Sequence, residues 1–129
     1  MKILEHTEKA EHSAHLRDSK VRVAGLKFRI DNFNDFLKEI KGLEMDKNIV
    51  GLSLIQDPNN EYNPDAIKVM GYTKAKGAQS VASSFHIGYL PKPLSKKLKD
   101  EGVKATQLFA ELTDLMDGSP KVILDLYKV

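Results

Sequence analysis

The residues with the most to offer chemistry lie in one short stretch, Asp57-Pro58-Asn59-Asn60-Glu61-Tyr62-Asn63-Pro64-Asp65. It supplies an aromatic ring, three amides and three carboxylates within nine residues. Each proline fixes its own φ and pushes the residue before it out of the helical region. Asn59 and Asn60 can bond their own main chain. The spacing therefore predicts a stiff loop that presents Tyr62 and Asn63, and binding residues concentrate on loops held by a rigid scaffold. The competing expectation is an ordered connection between two strands, with Tyr62 packed as a lid.

Other reactive groups are less organised. His12 and His15 are three apart, a spacing that chelates a metal on a helix, but no third or fourth ligand accompanies them. There is no glycine-rich phosphate loop, nucleophile elbow or zinc-protease motif. The carboxylates show no metal-binding frame of the kind a nuclease needs. The expectation is a binding module rather than an enzyme, with no cofactor and no metal. A second cationic feature is the run Lys92 to Glu101, where Lys92, Lys96 and Lys99 share a stripe and Asp100-Glu101 close the helix. That order opposes the helix dipole, which favours acids early and bases late, and is a mild hint of function.

The totals limit what these groups can belong to. The 129 residues fit one domain. Hydrophobic content of 41% and charged content of 29% are those of a soluble globular protein able to bury its own core. The net charge of +2 is too weak to announce nucleic-acid binding, so such a claim must rest on a local patch. No cysteine is present, so there is no disulfide framework or thiol zinc site. No apolar run approaches the length of a membrane span, and the N-terminus lacks a signal-peptide core. The reading is cytoplasmic, with no membrane partner and no small-molecule substrate.

The positioning elements follow from periodicity. Residues 1–19 are polar and aperiodic and are expected as a flexible arm, with the domain proper at 20–129. KVRVAGLKFRI (20–30) alternates, slips phase at Ala24-Gly25, and reads as a bulged strand with Leu26, Phe28 and Ile30 on one face. Residues 32–42 form a helix, with Phe33, Phe36, Leu37 and Ile40 inward, Asn32 as its cap and Gly42 as a left-handed terminus. Further strands are expected at 48–56, 66–72, 85–90, 104–112 and 121–129. A small flexible connection spans 73–84. A helix after Pro91-Lys92-Pro93 covers 94–101, and a turn at Asp117-Gly118-Ser119-Pro120 joins the last two strands. In the 85–90 strand, Phe85, Ile87 and Tyr89 alternate with His86 and Gly88. The fold class is mostly β with two helices (α+β), a six-stranded antiparallel barrel of OB-like or SH3-like type, because closure hides the sheet edges.

Three segments in this order, VAGLKF (23–28), DPNNEYNPDAIKV (57–69) and IGYLPKPLSKKL (87–98), together resemble the HIRAN family. That family's pattern is a glycine-hydrophobic-basic-aromatic strand, a DPxNxYDxxAIxV loop and strand, and a (V/I)GxLxxxL(A/S) strand-to-helix junction. The resemblance covers most of 21–129. It implies an OB-like β-barrel with two helices that binds single-stranded DNA and captures a free 3′ end in DNA repair. The chain has no room for the ATPase and zinc module found beside such domains in larger proteins, so neither is carried over.

The resemblance places a phosphate-binding base on Lys27 and a stacking aromatic on Phe28, where the family usually has Arg-Tyr. It gives Tyr62 a base-stacking role. Tyr89 and Lys92 then line the same pocket. Asn63 stands where the family usually has an Asp that accepts the terminal hydroxyl, and a neutral acceptor makes a weaker bond. Lys68 and Lys96, with Lys99, would add electrostatic tracking of the strand. The alternative function is a protein-interaction module, an accessory factor in DNA metabolism using the same loop or an open sheet edge for a protein partner.

Overall fold

The computed structural model describes residues 3–129. In chain order the elements are β1 (His15–Arg22), α1 (Ile30–Lys41), β2 (Asn48–Gln56), β3 (Ile67–Ala75), β4 (Ser83–Tyr89), α2 (Lys92–Asp100), β5 (Leu108–Met116) and β6 (Lys121–Lys128), with one short 3-10 turn before β1 and three between the later elements. The strands form one six-stranded antiparallel sheet in the order β1-β6-β5-β2-β3-β4. The fold is α+β with two helices, as the composition and periodicity anticipated. No helix among the described residues is long and apolar enough to cross a membrane.

The sheet is not closed. Its middle is thin: β2 and β5 share a single register pair, Leu52 opposite Ala110. At the outer edges, Ala24, two residues beyond β1, makes one isolated antiparallel bridge with Tyr89 of β4. Both of its hydrogen bonds are present, Ala24 N to Tyr89 O at 2.8 Å and Tyr89 N to Ala24 O at 2.9 Å. Gly88 permits this approach, because a Cβ there would stand 2.4 Å from the Ala24 carbonyl oxygen. The first strand and the fourth are thus stitched at one point, beside the loop at 57–66.

The core lies between the sheet and α1. Phe33, Phe36 and Ile40 recur on one helical face and are fully buried. Burying each of these side chains stabilises the fold by about 1.5–3 kcal/mol. Phe36 packs so closely on β3 that a Cβ at Gly71 would lie 2.6 Å from its ring. It also meets Phe85 of β4, with ring centroids 5.9 Å apart. From α2, Leu98 is fully buried.

Several expected boundaries move. The segment expected as an arm contains β1, which pairs with β6 from His15 opposite Lys128, so the 19/20 boundary falls inside a strand. Upstream, Ile3 joins the core and Thr7 bridges Val50. The amide of Glu8 donates to the Val50 carbonyl, and that of Ala10 to the Glu111 carboxylate. The segment therefore runs between β2 and β5, where their own pairing is thinnest. Glu8 also pairs with Lys74 at 2.6 Å. Burial, then the charge of Glu8, raises the pKa of Tyr72 well above its ordinary value.

The bulged strand expected at 20–30 ends at Arg22. Gly25 takes a left-handed φ of 77° and turns the chain into a 3-10 turn at Leu26–Arg29. The helix starts at Ile30, two residues earlier than the expected Asn32 cap, and Gly42 ends it with a right-handed φ of −88°. β3 and β4 absorb both ends of the 73–84 connection, leaving a turn at 76–82. β5 begins four residues late, after a 3-10 turn at Ala105–Gln107, and runs on to Met116.

Candidate nucleic-acid interface

The node of the site is the Tyr89 hydroxyl. It donates to Asp57 Oδ2 at 3.2 Å, and it accepts from Asn60 Nδ2 at 3.3 Å and Arg29 Nη2 at 3.4 Å. Three separate segments therefore meet at one phenol: the 26–29 turn, the 57–66 loop and β4. The Arg29 guanidinium also sits 5.9 Å from the Tyr89 ring centroid, in cation–π range.

The loop is ordered from within. Asn60 Oδ1 accepts the amides of Tyr62 at 2.9 Å and Asn63 at 3.0 Å. Asn63 Oδ1 in turn accepts the amide of Asp65 at 3.1 Å. Both are side-chain-to-backbone turns of the kind asparagine favours. The loop is then fastened to α2 by Asn63 Nδ2 on Ser95 Oγ at 3.4 Å and by the Asp65–Lys99 ion pair at 2.9 Å. With these main-chain bonds drawn inward, the Tyr62 ring projects into solvent, 89% exposed. The expectation of a packed lid is not met. A 380 Å³ cleft lies beneath the loop, between Pro58, Pro64 and Val103.

Phe28 is the other projecting aromatic, 85% exposed. Its neighbour Leu26 is only 6% exposed. Residues two apart point the same way in a strand, but they diverge by about 240° in a 3-10 turn of three residues. The expectation that Leu26 and Phe28 share a face fails for that reason. The same geometry swings Arg29 toward Tyr89. Lys27 is exposed and lines a different groove of about 560 Å³, between residues 22–27 and 118–120. Of the expected basic-aromatic pair, Phe28 thus flanks the node through its neighbour Arg29, and the cation at Tyr89 is Arg29 rather than Lys27.

Across the sheet, Ile55, Lys68 and Tyr89 are directly opposed on β2, β3 and β4. Opposed side chains share a face, so Lys68 lies between an exposed Ile55 and the Tyr89 ring. Regular alternation would put His86 on the other face from Tyr89. A bulge intervenes: Val69 faces Gly88 while Met70 faces His86, so Ile87 has no partner of its own. Ile87 turns into the core, and the His86 ring stands edge-on to Tyr89 with centroids 4.9 Å apart. Bulges re-aim side chains in this way. Burial lowers the His86 pKa, and the nearby Arg29 lowers it further.

The lysines of α2 are unequal. Lys92 is exposed at the start of the helix and makes no ion pair among the described residues. Lys96 pairs with Asp100 at 3.3 Å, and Lys99 with Asp65. Glu101 is gripped by two Arg17 nitrogens, at 2.9 and 2.7 Å. Both acids at the helix end therefore have partners, Asp100 within α2 and Glu101 on β1.

Arg29 and His86 belong to this face and were not singled out by sequence reasoning; Asp57 and Asn60 also belong to it, and the sequence marked them as part of the stiff loop but not as partners of Tyr89. The available signal was weak: Arg29 follows the Lys27-Phe28 pair, and the bulge that exposes His86 has only Gly88 to mark it.

No family model matches the chain, and no curated protein does. Among solved structures, a crystal structure of a protein from Lactobacillus plantarum is similar at a TM-score of 0.57 and 19% identity, covering 90% of this chain and 95% of that one. That likeness is one of fold.

Proposed function

We propose that this chain is a non-enzymatic single-stranded-DNA-binding module whose site is the Tyr89-centred face. The observation that carries the reading is the pairing of two projecting aromatics with cations that make no ion pair among the described residues. Tyr62 and Phe28 stand out from the loop and the turn that meet at the Tyr89 hydroxyl. Arg29 lies against the Tyr89 ring, and Lys68 is the cross-strand neighbour of Tyr89. Aromatic faces stack on bases of any sequence, and cations track the phosphates. The HIRAN-like order of the three segments agrees with this reading. The proposal extends to the architecture: an OB-like barrel in which the Ala24–Tyr89 bridge is the closing contact.

In this site Tyr62 and Phe28 stack bases, Arg29 and Lys68 hold a phosphate, and Lys92 extends the track along α2. Asp57, Asn60 and the Tyr89 hydroxyl position the loop. Lys96 contributes less, since Asp100 already neutralises it. Asn63 spends its side chain on Asp65 and Ser95, so reading of a 3′ end rests on groups other than Asn63, or is absent. Fluorescence anisotropy on oligonucleotides with free or phosphate-blocked 3′ ends, at two salt concentrations, tests both parts. Absence of binding at low salt removes the proposal; equal affinity for the two ends removes only end reading.

A second reading, a protein-interaction module, is favoured by the neutralisation of Lys96 and Lys99, which leaves the face more aromatic than basic. A nuclease-resistant pull-down lost in the Tyr62→Ala variant would support it.

A further inference from the structure

His86 is held in a way that leaves one nitrogen uncommitted. Its Nε2 lies 2.9 Å from the Gly88 carbonyl oxygen. A carbonyl only accepts, so Nε2 carries a hydrogen and donates. In the neutral ring Nδ1 then presents a lone pair, and it has no hydrogen-bond partner among the described residues. The backbone at the same residue is fixed from α1, where Asn32 Nδ2 donates to the His86 carbonyl at 3.0 Å.

The charged groups acting on this ring come from three other elements: Arg29 of the 26–29 turn, Lys68 of β3 and Asp57 of the loop. Arg29 and the His86 ring approach the same Tyr89 ring, at 5.9 and 4.9 Å from its centroid, and Lys68 is its cross-strand neighbour. Two cations beside a half-buried imidazole oppose its protonation. A phosphodiester between them reverses that balance, because an anion close by favours the charged ring.

Resting on the strand-binding reading above, we infer that His86 is a proton-coupled phosphate ligand: a phosphodiester seated against Arg29 and Lys68 brings a solvent proton onto Nδ1, which then donates to it, so strand affinity rises as pH falls. No covalent bond other than N–H changes, and the proton is returned to solvent on release. The neutral ring offers the phosphate a lone pair, whereas the imidazolium offers a charge-assisted donor. Histidine is the side chain whose charge changes near neutrality, so the coupling falls in an accessible range. The other histidines, His6, His12 and His15, lie on the N-terminal segment and at the start of β1, away from this node.

The test is the pH dependence of binding to a fluorescent oligo-dT strand at fixed low salt, for the wild type and His86→Gln. Wild-type affinity should rise about threefold to tenfold between about pH 7.5 and about pH 6, inside the ceiling of about 30-fold that one linked proton sets over that interval. His86→Gln should still bind, with that rise removed. An equal rise in both proteins overturns the inference and leaves strand binding intact. No binding by the wild type at any pH removes the inference together with the reading it rests on. Wild-type NMR supplies an arm that needs no variant. The titration midpoint of the His86 ring should move up when oligo-dT is added, and an unmoved midpoint overturns the inference.

Discussion

Tyr62→Ala separates a binding role from a structural one. The ring is 89% exposed, so its removal sacrifices almost no buried surface. The loop is held by Asn60 Oδ1 on the Tyr62 main-chain amide, a bond that alanine keeps. Exposed substitutions of this kind change stability by no more than about 0.5 kcal/mol. For a chain of this size that is a shift of about 2 °C or less in Tm. If the ring stacks on a base, truncation costs about 1–3 kcal/mol of affinity, or roughly fivefold to 150-fold in Kd. Phe28→Ala, equally projecting, should behave alike, and the double variant should lose nearly the sum, since distant contacts add. Anisotropy with a labelled single strand and thermal melting of the same samples give both numbers. A Tm drop of many degrees with Tyr62→Ala would show that the loop geometry is misread. Unchanged Tm together with unchanged Kd would refute the stacking role.

Further expectations concern the frame of the site. Asn60→Ala removes the acceptor of two main-chain amides and the donor to Asp57 and Tyr89; it should cost about 1–2 kcal/mol in urea unfolding and weaken binding even though Asn60 contacts no strand. Gly88→Ala places a Cβ 2.4 Å from the Ala24 carbonyl oxygen and 2.6 Å from Val23 Cγ1. It should destabilise by about 1–3 kcal/mol and loosen the Ala24–Tyr89 bridge, read as faster amide exchange at residue 24. With Arg29, Lys68 and Lys92 on phosphates, log affinity should fall with log salt at a slope of roughly −2, about −0.7 per contact; a flat salt profile would contradict phosphate binding. For the free protein, His86 has its pKa lowered by burial and by Arg29. The unfolded state then binds the proton more readily, so stability present above the ordinary histidine value of about 6.5 should be lost as pH falls below it, and His86→Gln should remove that component of the urea midpoint's pH dependence.

Much of the frame was legible because it rests on periodicity. The amphipathic run Phe33, Phe36, Leu37, Ile40 became α1, and the alternating runs at 48–56, 66–72, 85–90 and 121–129 became strands close to those limits. What escaped was set by single residues whose effect is non-local. Leu26, Phe28 and Ile30 alternate as a strand would, yet the positive φ of Gly25 diverts them into a 3-10 turn. That change moved the site's cation from Lys27 to Arg29. The bulge at Ile87 is invisible to alternation, and with it went His86. β1 escaped because its residues are polar on both faces, and pairing with β6 rather than burial holds most of them. The loop was the most readable part of the site. Its Asx turns follow from asparagine chemistry, and its exposed Tyr62 follows from those turns.

The proposed function places a single strand on one face, around Tyr89. Amide chemical-shift mapping of the labelled protein against an unlabelled oligo-dT strand tests it most directly. Shifts confined to residues 28–29, 60–63, 68, 86–89 and 92 are expected. Shifts confined to the groove between residues 22–27 and 118–120, or an unchanged spectrum at saturating strand, would contradict it.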